Sequence, residues 1–201
     1  DLKGLDKGSL VLEENLRKVL AKVDASDHPL VTNIRVSPIR VDLITRNADG
    51  LRKDVSYDPG FNKTESDFGA GDDKAIRASK LDASAPERMA RSVGERTGLG
   101  TDSLDYVTLS PSPTSAGETE WYLFLDKGPF KSRQWVAAPD GRDLRHPGEP
   151  SLKEKAATRR QARQMKAEQR RTQRAFAQQS ACLNRATDAN AAARCVERYQ
   201  P

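Results

Sequence analysis

Residues 30–57 read LVTNIRVSPIRVDLITRNADGLRKDVSY, and the spacing of apolar side chains in this stretch decides the fold. Ile39, Val41 and Leu43 alternate with polar neighbours, the period-two pattern of a strand with one buried face. Three strands are predicted, over Leu30–Val36, Ile39–Thr45 and Leu51–Tyr57. Asn47-Ala48-Asp49-Gly50 has the composition of a hairpin turn, and Asp58-Pro59-Gly60 closes the set. Ahead of the strands, Leu12, Leu16, Val19, Leu20 and Val23 recur at helical spacing and mark one apolar face. Ser9 is a candidate N-cap for that helix, and Asp27-His28-Pro29 a stop.

The same order returns downstream. Ser84-Ala85-Pro86-Glu87 reads as a capping box with proline in the first turn, Met89, Ala90 and Val93 supply an apolar face, and Gly98 is the expected stop. Strands are predicted at Tyr106–Leu109, Glu120–Leu125 and Phe130–Ala137, with a hairpin at Asp126-Lys127-Gly128 and an ending at Pro139-Asp140-Gly141. The openings match too, Leu5-Asp6-Lys7-Gly8-Ser9 beside Leu81-Asp82-Ala83-Ser84. The expectation is an α+β protein with two tandem helix–β–β–β units, over 1–62 and 81–145, each with a small antiparallel sheet. One helix on a three-stranded meander buries too little surface to stand alone, so the units should pair, face to face or edge to edge. Residues 63–80 read as a linker, centred on Phe61–Lys74 (FNKTESDFGAGDDK).

A resemblance attaches to the second unit. The run Glu120-Trp121-Tyr122-Leu123-Phe124-Leu125 through Val136-Ala137-Ala138-Pro139-Asp140-Gly141-Arg142 resembles the end of a PepSY-type domain, in which a helix precedes a small sheet whose last strand runs into an Asp-Gly turn. The likeness covers residues 80–145 and, more loosely, 5–60, where Pro59-Gly60 stands in place of Asp-Gly-Arg. It implies an extracytoplasmic, non-enzymatic binding or inhibitory module, such as those in propeptides of thermolysin-type peptidases, and transfers no functional residue.

Charge is divided along the chain. Residues 1–150 carry 22 Lys+Arg against 25 Asp+Glu, a balance of −3, whereas 151–201 carry 12 against 4, a balance of +8. The excess positive charge thus belongs to the C-terminal region, where an anionic partner is to be sought. After the hinge His146-Pro147-Gly148-Glu149-Pro150, Ser151 caps a segment from Leu152 to about Ala186 that lacks Gly and Pro and is rich in Ala, Gln, Arg and Lys. A helix of roughly 50 Å is predicted. Its apolar side chains (Leu152, Ala156, Ala162, Met165, Phe176 and Leu183) are too sparse for a core-facing helix. Arg159, Arg160, Arg163, Lys166, Arg170, Arg171 and Arg174 recur at spacings of three, four and seven, so several share one side. They form either a solvated face or a binding surface for an acidic protein or for lipid headgroups. Phosphates would also attract such a stripe, but no aromatics interleave it before Phe176.

Cys182 and Cys195 flank Thr187-Asp188-Ala189-Asn190, and helix resumes over Ala191–Tyr199. Two antiparallel helices joined by this short loop bring the cysteines within the Cα separation a disulfide needs. Two buried thiols or half of a zinc site are the alternatives, the latter lacking nearby histidines or a second cysteine pair. A disulfide places the chain in an oxidising compartment.

No catalytic constellation, metal site or cofactor motif emerges. His28 and His146 lie in turns without a nucleophile motif. Phe68-Gly69-Ala70-Gly71-Asp72-Asp73-Lys74 lacks the frame of a phosphate loop, and Asp67, Asp72 and Asp73 miss the spacing of an EF-hand. Trp121, Tyr122, Phe124 and Trp135 cluster on the second hairpin, either packed against the first unit or open to a partner. No stretch is long and apolar enough to span a membrane, and the start at Asp1 fits removal of a signal or anchor, or excision of a soluble portion. The expected function is non-catalytic: an extracytoplasmic scaffold of a bacterial cell-envelope protein that meets a partner protein, or an anionic membrane surface, through its sheet or its basic arm. A peptidase-inhibitor or propeptide-like module and a nucleic-acid-binding arm are the alternatives.

Overall fold

The alternation in residues 30–57 folds as an antiparallel meander, β1 (Leu30–Ser37), β2 (Arg40–Arg46) and β3 (Leu51–Tyr57), in which Ile34 faces Leu43, Leu43 faces Val55 and Val41 faces Tyr57. A bulge between Val31 and Asn33 lets Val31 point to the same buried side as Ile34 and Val36. The computed structural model describes residues 6–98, 103–111, 119–126 and 133–199. By internal contacts the chain divides into Asp1–Glu149 and Pro150–Pro201.

Within the first unit, the segment read as a linker is sheet. β4 (Lys63–Ala70) pairs with β3, and the two-residue β5 (Ile76–Arg77) pairs with the start of β1. All eight β4 residues are exposed, so no hydrophobic period betrays the strand. Backbone hydrogen bonding holds it at the sheet edge, where Lys63, Glu65 and Asp67 blunt further pairing.

In the second half, β6 (Leu104–Pro111), β7 (Thr119–Leu125) and β8 (Gln134–Ala137) form another meander. Residues 130–132 of the third predicted strand, and Lys127 and Gly128 of its hairpin, lie outside the described residues. β6 pairs with β1, Ile34 facing Leu109 and Val36 facing Val107, so the halves meet edge to edge. The two expected sheets are one antiparallel sheet, in the order β4-β3-β2-β1-β6-β7-β8, with β5 beside β6 along the same edge of β1. This shared sheet supplies what neither meander could, a single core.

Two helices line one face of that core. α1 (Glu13–Asp24) buries Leu16, Val19, Leu20 and Val23, and α2 (Ala85–Thr97) buries Met89, Ala90 and Val93. Below them lie Val36, Val41, Leu43, Val107, Trp121 and Leu123. Each large side chain removed from water here contributes about 1.5–3 kcal/mol. The matched openings also fold alike: Asp6 accepts a side-chain hydrogen bond from the Gly8 N–H, and Asp82 from the Ser84 N–H. The main chain then closes the same turn in both, Ser9 N–H to Asp6 O and Ala85 N–H to Asp82 O.

The caps differ from the sequence reading. α1 starts four residues after Ser9, whose hydroxyl instead accepts from the Val11 N–H; Leu12 occupies the N-cap without a side-chain bond. Ser84 likewise makes no cap bond to its own helix, since its hydroxyl donates to Asp82 and accepts from Arg88. Glu87 leaves its expected capping box to accept the Glu13 N–H at 2.7 Å, so a carboxylate on α2 satisfies an orphan donor at the start of α1. Gly98 ends α2 in the left-handed conformation, as expected.

In the second unit, α3 (Leu152–Leu183) begins with a capping box between Ser151 and Glu154, and α4 (Ala189–Arg198) with Asp188 accepting the Ala191 N–H. At 1.5 Å per residue the 32 residues of α3 extend about 48 Å. Cys182 and Cys195 form the expected disulfide, with their Cα atoms 5.7 Å apart. Cys195 is the buried centre of the hairpin. In the chain-entropy account a loop this short gains about 3 kcal/mol from closure. The bond points to an oxidising compartment, and among the described residues no helix is long and apolar enough to cross a membrane.

Candidate functional site

The helical repeat of α3 sorts its side chains by charge. Lys155, Arg159, Arg163, Lys166, Arg170 and Arg174 follow one another at steps of four, four, three, four and four, which confines them to an arc of about 100° at 3.6 residues per turn. Arg160 and Arg171 border the arc on one side. Glu154 and Glu168 fall on the opposite half, with the exposed Met165, Phe176 and Leu183. All the cationic side chains of α3 are exposed, and Arg163, Lys166, Arg170, Arg171 and Arg174 line one shallow depression with Ala167 between them. The structure thus brings Arg159, Arg163, Lys166, Arg170 and Arg174 of the sequence-predicted basic residues into a single stripe, with Arg160 and Arg171 at its border, on a helix with no buried side chain.

Chemically, such a stripe is a straight row of guanidinium and ammonium donors. Guanidinium groups bind carboxylates and phosphates through paired N–H donors, and a row of them selects an extended or flat anionic surface. The apolar side chains, Met165, Phe176 and Leu183 with Leu152 near the N-terminus, are too sparse over 32 residues to make the strong apolar face that an in-plane membrane helix sinks into lipid.

The aromatic residues of the second hairpin separate. Trp121 and Trp135 face the helices and are buried, Trp121 donating to the Pro139 carbonyl at 3.0 Å and Trp135 lying against the His146 ring. They belong to the core and offer no surface. Tyr122 and Phe124 point to the other face, where the Phe124 ring stacks on Tyr106 at 4.6 Å and the Arg35 guanidinium covers Tyr106 at 3.8 Å. The first half therefore meets this hairpin through a neighbouring strand, and both residues stay partly exposed.

Beside them sits a charged group that sequence reasoning missed. Arg145 bridges Val136 through two main-chain hydrogen bonds at the sheet edge, and its buried guanidinium pairs with Glu120 and with Asp143. The Tyr122 hydroxyl donates to Glu120. Burial, then the Glu120 charge, raises the Tyr122 pKa above its ordinary value. The alternation of β7 placed Glu120 on the Tyr122 face, but nothing in the sequence tied it to an arginine 25 residues on.

Among the described residues no group of His, Cys, Asp and Glu is arranged to hold a metal ion. Fold and surfaces together define an α+β protein with one antiparallel sheet, two covering helices and a disulfide-closed basic helical arm. No family model matches the chain, and no curated protein or solved structure matches it.

Proposed function

We propose that this chain is a non-catalytic binding module of the bacterial cell envelope, working outside the cytoplasm, in which the sheet domain is the scaffold and α3 the contact element for an acidic partner protein. The observation that carries the reading is the confinement of Lys155, Arg159, Arg163, Lys166, Arg170 and Arg174 to one exposed side of a 32-residue helix. The disulfide supports the compartment. A peptidase-inhibitory use of the second half has less support, because β8, its free edge, is bridged at Val136 by Arg145, and the other free edge, β4, belongs to the first half.

The test is a titration of the whole chain with labelled poly-L-glutamate and, separately, with phosphatidylglycerol vesicles, at low and at raised ionic strength. Binding to the polymer should weaken as salt screens the charges, and should fall at least about tenfold in the R163Q/K166Q/R170Q/R174Q variant. Binding to vesicles alone would move the partner from protein to membrane. No binding to either probe at low ionic strength overturns the reading.

A further inference from the structure

The first half contains a polar cleft that the basic arm does not explain. It lies on the helix-facing side of the sheet, at the C-terminal end of α1. The C-terminal turn of α1 with Asp27 and His28 forms one wall, and Thr45, Lys53, Tyr57, Lys63 and Glu65 of β2, β3 and β4 form the other, around a volume of about 190 Å³. Register explains the convergence: Tyr57 faces Lys63, Val55 faces Glu65 and Thr45 faces Lys53, so these side chains share one face.

Two observations separate this cleft from an ordinary charged sheet edge. Tyr57 is only 3% exposed, yet among the described residues its hydroxyl has no hydrogen-bond partner, although it lies in electrostatic reach of Lys63 and Glu65. The hydroxyl is thus a donor and acceptor presented to the cleft on an otherwise buried ring. The second is the donor excess. Glu65 receives Lys53 on one carboxylate oxygen, at 3.1 Å, and Lys63 on the other. Each ammonium keeps two further N–H donors. The His28 ring is also without a partner among the described residues. Asp27 and Glu65 are the only acids on the lining, so uncommitted donors outnumber acceptors.

We infer that this cleft is a binding site for a small oxyanion ligand, a carboxylate or phosphate on a molecule no larger than a monosaccharide, held by the Lys53 and Lys63 ammonium groups and the Tyr57 hydroxyl. The volume sets the size limit, since pockets for drug-sized ligands begin at about 300 Å³. Glu65 holds the two ammonium groups on either side of its carboxylate. The site stands independently of the arm.

The experiment follows backbone amide shifts of the isotope-labelled full chain during titration with glucuronate, inorganic phosphate and, as neutral control, glucose, each to millimolar concentration. Glucuronate or phosphate, or both, should shift the amides around His28, Tyr57 and Lys63, and glucose should not; which of the two binds more tightly separates an acidic sugar from a phosphate. Affinity should fall about three- to tenfold in Y57F, which retains the fold, and more than about tenfold in K53Q/K63Q. Absence of shifts with both anions, equal shifts with glucose, or unchanged affinity in a folded Y57F and a folded K53Q/K63Q overturns the inference.

Discussion

Gly141 shows how one residue couples the end of the sheet to the start of a helix. Its φ of +73° lies in the left-handed region, and a Cβ built on it would come within 2.6 Å of the Ala85 carbonyl oxygen and 2.7 Å of the Ala85 Cα. Both constraints are backbone, so no side chain can yield. The Asp-Gly ending is therefore a packing requirement, reinforced by Arg88 donating to the Asp140 carbonyl. G141A should lower stability by about 3 kcal/mol, combining backbone strain with a clash. G98A, a change at another positive-φ glycine, should cost about 1 kcal/mol. Urea unfolding of the two variants checks the difference. The buried Arg145–Glu120 pair makes a second residue-scale prediction. Removing the carboxylate alone, in E120A, should destabilise by about 3–5 kcal/mol by stranding a buried guanidinium, whereas E120L/R145M should cost less than E120A. A double-mutant cycle by thermal unfolding measures this, and equal losses in E120A and the double variant would contradict it.

Among the elements, α1 and α2 depend on each other through Glu87. Burial works against ionisation of its carboxyl, but the hydrogen bond from the Glu13 N–H and the pairing with Arg91 outweigh it, so the pKa lies below the ordinary value of 4.5. A carboxyl depressed in the folded state contributes stability that is complete above the unfolded pKa and is lost as pH falls through the folded one. The contribution of Glu87 should accordingly be present at neutral pH and decline below about pH 4.5. E87A should lower stability by about 1–2 kcal/mol at neutral pH. Its stability curve should converge on that of the parent protein as pH falls, which chemical denaturation across that range would show. The long helix α3 draws its order from other sources: helix-forming composition, the Ser151–Glu154 capping box and, at its far end, the disulfide.

For the sheet domain as a whole, the seam between β1 and β6 is decisive. Each half offers one helix and one meander, and the apolar residues of both halves join a single cluster. A fragment of residues 1–82 would expose the β1 edge from Ile34 to Val36 and lose the cover of α2 and its Glu87 cap. Expressed alone, it should lack the amide dispersion of a folded sheet, and a cooperative unfolding transition in that fragment would show that the halves are independent domains. Arg35, stacked on Tyr106 across the seam, fastens the outer face of the same junction.

The sequence alone determined whatever rests on local periodicity and covalent chemistry. Alternation at Val41 and Leu43 marked β2, although Ile39, read as the start of the same face, lies exposed in the turn before the strand because β1 and β2 are joined tightly there. Helical spacing from Leu12 to Val23 marked α1, and the lack of Gly and Pro after Leu152 marked α3. The thirteen-residue spacing of Cys182 and Cys195 across a turn marked the hairpin, and the three- and four-residue steps of its cations marked the basic stripe. Strand β4 was illegible because an edge strand exposed on both faces has no hydrophobic period, and its partner is chosen by backbone hydrogen bonds common to every residue. The same holds for Glu87, whose partner lies 74 residues away, and for Glu120 with Arg145. Only tertiary structure decided that two meanders share one sheet, that Trp121 and Trp135 belong to the core, and that Tyr57, Lys53, Lys63 and His28 meet around one cleft. The reason is physical: which strand edges pair, and which side chains then share a face, depends on surface burial summed over the whole chain, whereas a sequence window registers only its own.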